Sequence, residues 1–304
     1  KLHPKMRTAQ VLFAQDKSTT SLLLIAAVAV LSWLWLPAGM HGLEKVALAL
    51  STGVMAWVTN AALVYRSGYL KSQHVLGWFF ALSGLMLVTD AWTWSSLLGA
   101  LAATFWMARA YQLTMFTWHH CTMLGMLSAL FVLVDPSTLI LLPLALLAPL
   151  TVRGAGFRQV AQVAVAWLVM AVILWMIATL WSLCSGRTLV MDPLRGMAWT
   201  WSVPGPQAGL VLLLAFFALI QLPPAMRFAK RAKRRGLVLS IMAITGMVLM
   251  ACSGIGNHHM VMGMLAVALA PQWVNVQSYI RKPWMKTAFS PSIVIAMLLL
   301  KWLF

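Results

Sequence analysis

The sequence predicts an all-α, polytopic integral-membrane helix bundle, and three observations predict it. Of its 304 residues, 62% are apolar and only 9% charged, whereas a soluble domain carries about 25% charged residues. Uninterrupted apolar runs such as 21–36 and 160–183 have the length of bilayer spans. The Lys and Arg residues collect between these runs, where the positive-inside rule places them. The same composition excludes a disordered polycation, and three cysteines are too few for a disulfide scaffold.

Inside lipid every backbone group must be satisfied within its own segment, so each apolar run reads as a helix. In chain order the windows predict spans at 20–37, 46–64, 75–90, 95–111, 120–134, 137–152, 159–183, 208–226, 236–254, 259–276 and 287–303. That makes about eleven. The segments 120–134 and 137–152 are short and are joined by Asp135-Pro136, a turn signal. They read either as two spans or as a hairpin re-entering from one side, which leaves nine spans. Residues 1–19 form a cytoplasmic segment, too polar for a cleavable signal, and 20–304 form a single transmembrane domain. Its longest polar connections are an outer loop at 184–207 and a basic inner loop at 227–235.

Cation placement fixes the expected orientation. With the amino terminus inside, eighteen of the 22 Lys and Arg residues face the cytoplasm, and Lys45, Arg187, Arg195 and Lys301 face outward. The carboxyl terminus is then periplasmic. Trp33, Trp92, Trp94 and Trp181 fall at the outer boundary, as an aromatic belt should. The formal net charge of +17 is therefore a topological signal, and a nucleic-acid role is not expected.

The same sorting puts Glu44, Asp90, Asp135 and Asp192 on the outer side with His41, His258 and His259, leaving Asp16 inside. These groups are either solvated loop residues or acid-base groups of an outer-face site, with Glu44, Asp90 and Asp192 as the catalytic candidates. At the tip of a re-entrant hairpin Asp135 would lie within the membrane, where an ionisable group is a functional suspect. The pairs His119-His120 and His258-His259 belong to opposite faces and cannot share one metal. No metal site is expected, and no cofactor is evident from the sequence. Cys184 and Cys252 end outward-running helices, in a compartment that permits disulfides, and are the candidate pair, while Cys121 is inside.

The run Arg227 to Arg235, containing Arg227, Lys230, Arg231, Lys233, Arg234 and Arg235, is a topogenic anchor on anionic headgroups or a docking surface for a protein partner. Methionines such as Met242, Met247, Met260, Met262 and Met264 read as adaptable packing. Gly246, Gly254, Gly256 and Gly263 would let helices approach closely. No P-loop, HExxH, GxSxG or paired CxxC occurs, and the spans carry almost no carboxylates, which disfavours ion-coupled transport.

The rhythm from Asn60 and Tyr65-Arg66, through the span ending at Arg109, to Asp135-Pro136 and the Arg153 to Arg158 loop resembles an uncharacterised family of polytopic inner-membrane proteins of Bacteroidota. The likeness covers about 100 residues and implies a bacterial inner membrane. The same stretch is also similar to membrane glycosyltransferases that use polyprenyl-phosphate sugars. That resemblance implies a carboxylate base or metal ligand, matched by Glu44, and a lipid-phosphate ligand, matched by Arg187 or Arg195. Here the first outer loop runs only from Ala38 to Lys45, shorter than that family's.

The expected function is a non-catalytic membrane subunit or scaffold of a cell-envelope complex, with membrane lipids and a membrane protein as partners. An enzyme acting on a polyprenyl-phosphate-linked substrate at the outer face is the alternative, and a lipid or small-solute transporter the second.

Overall fold

The computed structural model describes residues 26, 29–30, 33, 41–60, 62–63, 93–112, 118–152, 156–185, 231–253, 257–279, 282 and 284–285. The expected spans 75–90, 208–226 and 287–303 lie outside these residues, as does most of 20–37. Among the described residues all regular secondary structure is helical. They form α1 (Gly42–Asn60), α2 (Trp94–Gln112), α3 (Trp118–Val134), α4 (Leu141–Leu147), α5 (Phe157–Ser185), α6 (Arg231–Ser253) and α7 (His258–Tyr279). Two 3-10 turns, Pro136–Ile140 and Ala148–Thr151, flank α4.

Proline explains the broken element between α3 and α5. Pro136 and Pro149 open the two 3-10 turns, and Pro143 sits in the first turn of α4, so three backbone donors are missing from sixteen residues. The continuous span expected at 137–152 is thus replaced by 3-10, α and 3-10 pieces in succession. Because a 3-10 turn rises about 2.0 Å per residue against about 1.5 Å in an α-helix, the element reaches about 28 Å, close to the thickness of a hydrocarbon core. Its shortness in residues is offset by its stretch.

α2 is the hub, touching α1, α3, α4, α6 and α7, most extensively α7. Its composition permits this: Ala100, Ala102, Ala103, Ala108 and Ala110 are buried and keep neighbouring backbones close. Trp106 and Met107 fill the space between, with Leu48 of α1, Leu124 of α3 and Leu141 of α4 among the other fully buried side chains. At the α2–α7 crossing, a Cβ added to Gly99 would strike the Met260 carbonyl, and one added to Gly263 would strike the Ser96 carbonyl. α3 packs most extensively on α5, where Gly125 meets the Val163 carbonyl.

α5 is 29 residues long, about 43 Å, and is the one described helix long and apolar enough to cross a membrane. Only 22% of its spanning stretch is buried. Leu168, Val172, Trp175, Met176, Leu180 and Trp181 are all more than half exposed. Side chains of this size each lose about 1.5–3 kcal/mol when left in water instead of buried, so this face needs an apolar surrounding.

α6 starts at Arg231, five residues before the expected span, so the latter half of the expected basic loop is helical. Lys and Arg are good helix formers and no glycine or proline interrupts 231–235. α1 likewise starts at Gly42, drawing Glu44 and Lys45 out of the expected loop and into its first turn.

Candidate functional site

Glu44 is exposed in the opening turn of α1, where its carboxylate complements the helix dipole. Lys45 beside it donates its backbone N–H to the His41 carbonyl at 2.9 Å and stacks its ammonium 5.3 Å from the Trp33 ring centroid. The other catalytic candidates, Asp90 and Asp192, and the lipid-phosphate candidates Arg187 and Arg195 lie outside the described residues, as do Arg227 and Lys230. Arg231, Lys233, Arg234 and Arg235 occupy the opening turns of α6.

Asp135 is the most elaborately placed acidic residue. It sits between α3 and the first 3-10 turn in an extended conformation (φ −159°, ψ 131°) and caps that turn. Its Oδ1 accepts the Ser137 N–H at 2.8 Å and also the Ser137 hydroxyl. Ser137 Oγ in turn accepts the Asn257 N–H at 2.6 Å, and Asn257 Oδ1 accepts the His259 N–H at 3.1 Å as the cap of α7. Four residues from two distant parts of the chain thus form one hydrogen-bonded relay. Ser137 is fully buried, so its hydroxyl can satisfy both neighbours only in this arrangement.

His258 stands one residue before the expected span, its ring edge-on to His259 at 6.2 Å. Partial desolvation, and secondarily the His259 ring, push its imidazole below the ordinary value, although the residue is exposed. His119 and His120 form a similar edge-on pair at 6.0 Å on the first turn of α3. Among the described residues no three His, Cys, Asp or Glu side chains are gathered closely enough to hold a metal ion. Cys121 is a buried free thiol and Cys184 an exposed one. The side chain of Cys252 lies outside the described residues.

Several buried polar contacts carry no sequence signature. Thr59 Oγ1 of α1 meets Thr104 Oγ1 of α2 at 2.9 Å, while each also reaches its own helix, Thr59 the Met55 carbonyl at 2.8 Å and Thr104 the Ala100 carbonyl at 2.7 Å. Three contacts share two protons, so one hydroxyl divides its hydrogen between two acceptors. Tyr111 OH bonds Ser240 Oγ, tying the end of α2 to α6. Thr93 Oγ1, Ser96 Oγ, Trp106 Nε1 and Trp167 Nε1 are buried without a hydrogen-bond partner. Met247, Met260, Met262 and Met264 are buried in the apolar core. Of the four glycines singled out in the sequence, Gly263 makes a close crossing, Gly246 makes ordinary van der Waals contact with Ile140 and Leu144, and Gly254 and Gly256 lie outside the described residues.

Comparison with known proteins gives no match: no family model, no curated protein and no solved structure resembles the chain.

Proposed function

We propose that this chain is a multi-pass protein of a bacterial inner membrane, with about eleven spans and a cytoplasmic amino terminus, acting as a non-catalytic membrane subunit of a cell-envelope assembly. The observation that carries the reading is how its polar side chains are spent. Asp135 holds Ser137, whose hydroxyl accepts the Asn257 N–H, Thr59 binds Thr104, and Tyr111 binds Ser240. The Ser137–Asn257, Thr59–Thr104 and Tyr111–Ser240 bonds each join two helical elements, which is the work of a scaffold.

The topology draws support from the same contacts, because each pairs residues that cation sorting puts at one depth. Asp135 and Asn257 both belong to the outer end, Tyr111 and Ser240 both to the inner end. The exposed apolar face of α5 supports a lipid surrounding.

The enzyme reading draws on one observation, the exposed Glu44 carboxylate in the first turn of α1. Purification in mild detergent followed by mass spectrometry of bound proteins and lipids separates the two. The scaffold retains a stoichiometric protein partner and is unaffected by Glu44→Gln. A retained polyprenyl lipid, lost in Glu44→Gln, would overturn it in favour of the enzyme.

A further inference from the structure

The fold gathers cations from distant stretches of sequence at one end of the bundle. Ser137 bonds Asn257, which follows the end of α6, and Gly246 of α6 packs against Ile140 and Leu144. The 136–151 element therefore runs back along α6, bringing the 3-10 turn Ala148–Thr151 toward the start of that helix. This turn touches both α5 and α6. α5 opens with Phe157-Arg158, and α6 opens with Arg231, Lys233, Arg234 and Arg235. Tyr111, bonded to Ser240, brings in the last turn of α2 with Arg109.

At about 100° per residue, the cations at 231, 233, 234 and 235 fall near 0°, 200°, 300° and 40° around α6. The arc of about 160° that they leave open carries Ala232 and Gly236. Residues 231 and 234, and 231 and 235, are also like-charged neighbours at i,i+3 and i,i+4, which weaken the helix slightly, a cost that an intervening anion removes. The carboxylates among the described residues do not supply it. Asp135 is bound at the far end of α6, and Glu44 lies some four turns before Thr59, the α1 residue that meets α2.

We propose that this end of the bundle binds anionic phospholipid headgroups of the cytoplasmic leaflet, held between Arg158 of α5 and Arg231 to Arg235 of α6. The proposal rests on the membrane reading above. A headgroup fits better than a soluble acidic partner because the cationic turns run directly into the apolar stretch Val238–Met250, which sets them at the depth of lipid phosphates. Phe157, 86% exposed beside Arg158, adds an apolar side chain at the same end.

The test is native mass spectrometry of the full chain in neutral detergent, with phosphatidylglycerol and phosphatidylcholine of matched acyl chains as probes. Wild-type protein should retain phosphatidylglycerol about tenfold or more over phosphatidylcholine, as several cations near one headgroup imply. R231Q/K233Q/R234Q/R235Q should abolish the preference and R158Q should reduce it, whereas R231K/R234K/R235K should keep it. Thermal melts of each variant without added lipid verify folding, and the charge-preserving variant controls for local structure. Equal retention of the two lipids by wild type, or an undiminished preference in the quadruple variant, overturns the site. Displacement of phosphatidylglycerol by millimolar inorganic phosphate also overturns it, in favour of a free-anion site. Lys233→Cys labelled from each side of the membrane separates the two layers of the argument: outer labelling overturns the orientation and the leaflet, while inner labelling without lipid preference overturns the headgroup site alone.

Discussion

Gly99 and Gly263 meet at a single crossing, each opposite a carbonyl three residues before the other, that of Met260 for Gly99 and that of Ser96 for Gly263. The exchange is reciprocal, so neither helix can retreat from a methyl group without pulling its own glycine out of contact. Backbone approach this close also allows Cα–H to carbonyl contacts, which add modestly to dispersion at helix interfaces.

Gly99→Ala and Gly263→Ala should each destabilise the fold by about 2–3 kcal/mol, the upper part of the range for overpacking, because the obstacle is backbone. Gly246→Ala should be close to neutral, since the added carbon meets flexible ends of Ile140 and Leu144 at 3.4–3.5 Å. Gly42→Ala, with nothing within 4 Å, should be silent. Thermal melts in one detergent rank the four variants, and equal losses at Gly99 and Gly246 would refute the crossing.

Two buried serines should respond oppositely to alanine. Ser137→Ala removes the hydroxyl shared by Asp135 and the Asn257 N–H, stranding a buried donor at a cost of about 1–3 kcal/mol. Ser96 is fully buried with an unpartnered hydroxyl, so Ser96→Ala should be neutral or stabilising. Hydrogen exchange at 257–261 gives the local readout: protection should fall in Ser137→Ala and hold in Ser96→Ala.

The Thr59–Thr104 pair should couple only weakly. Either threonine can spend its proton on its own helix, so Thr59→Val frees Thr104 to keep the Ala100 carbonyl. A double-mutant cycle of Thr59→Val and Thr104→Val should give an interaction of about 0.6 kcal/mol, the average for hydrogen bonds between membrane helices. A coupling above about 1.5 kcal/mol would mean that the interhelical bond holds the proton and the back-bonds do not.

Helix positions were legible where hydropathy changes abruptly. α2 runs from Trp94 to Gln112 against an expected 95–111, and α5 from Phe157 to Ser185 against 159–183. Hydropathy marks where a helix leaves an apolar environment and not where the helix ends, which is why α6 extends back through Arg235 to Arg231 and α1 back to Gly42. Asp135-Pro136 was readable as a turn because an acidic cap before proline is local chemistry. Its bonded partner Asn257 was not, since 120 residues separate it from Ser137 and nothing local couples them. Gly99 and Gly125 are silent for the same reason: one small residue in an apolar run does not announce which neighbour will cross it.

The expected sidedness makes the last prediction the most decisive. Asp135 and Asn257 share one relay, and Tyr111 and Ser240 share one bond, so each pair must lie at a common depth whichever way the chain threads. Cation sorting then assigns the first pair to the periplasmic side and the second to the cytoplasmic side. Single cysteines placed at Lys45 and His258 should react with an impermeant maleimide in intact cells, and those at Arg158 and Lys233 only after the inner membrane is opened. The native Cys121, Cys184 and Cys252 are first replaced by serine, with folding checked by thermal melt because Cys121 is buried. Reaction at Lys45 and Lys233 from the same side would break the alternation of helices that the contacts require. Reaction at all four sites with sides exchanged would keep the fold and reverse the orientation, moving Glu44 and the His258-His259 pair into the cytoplasm.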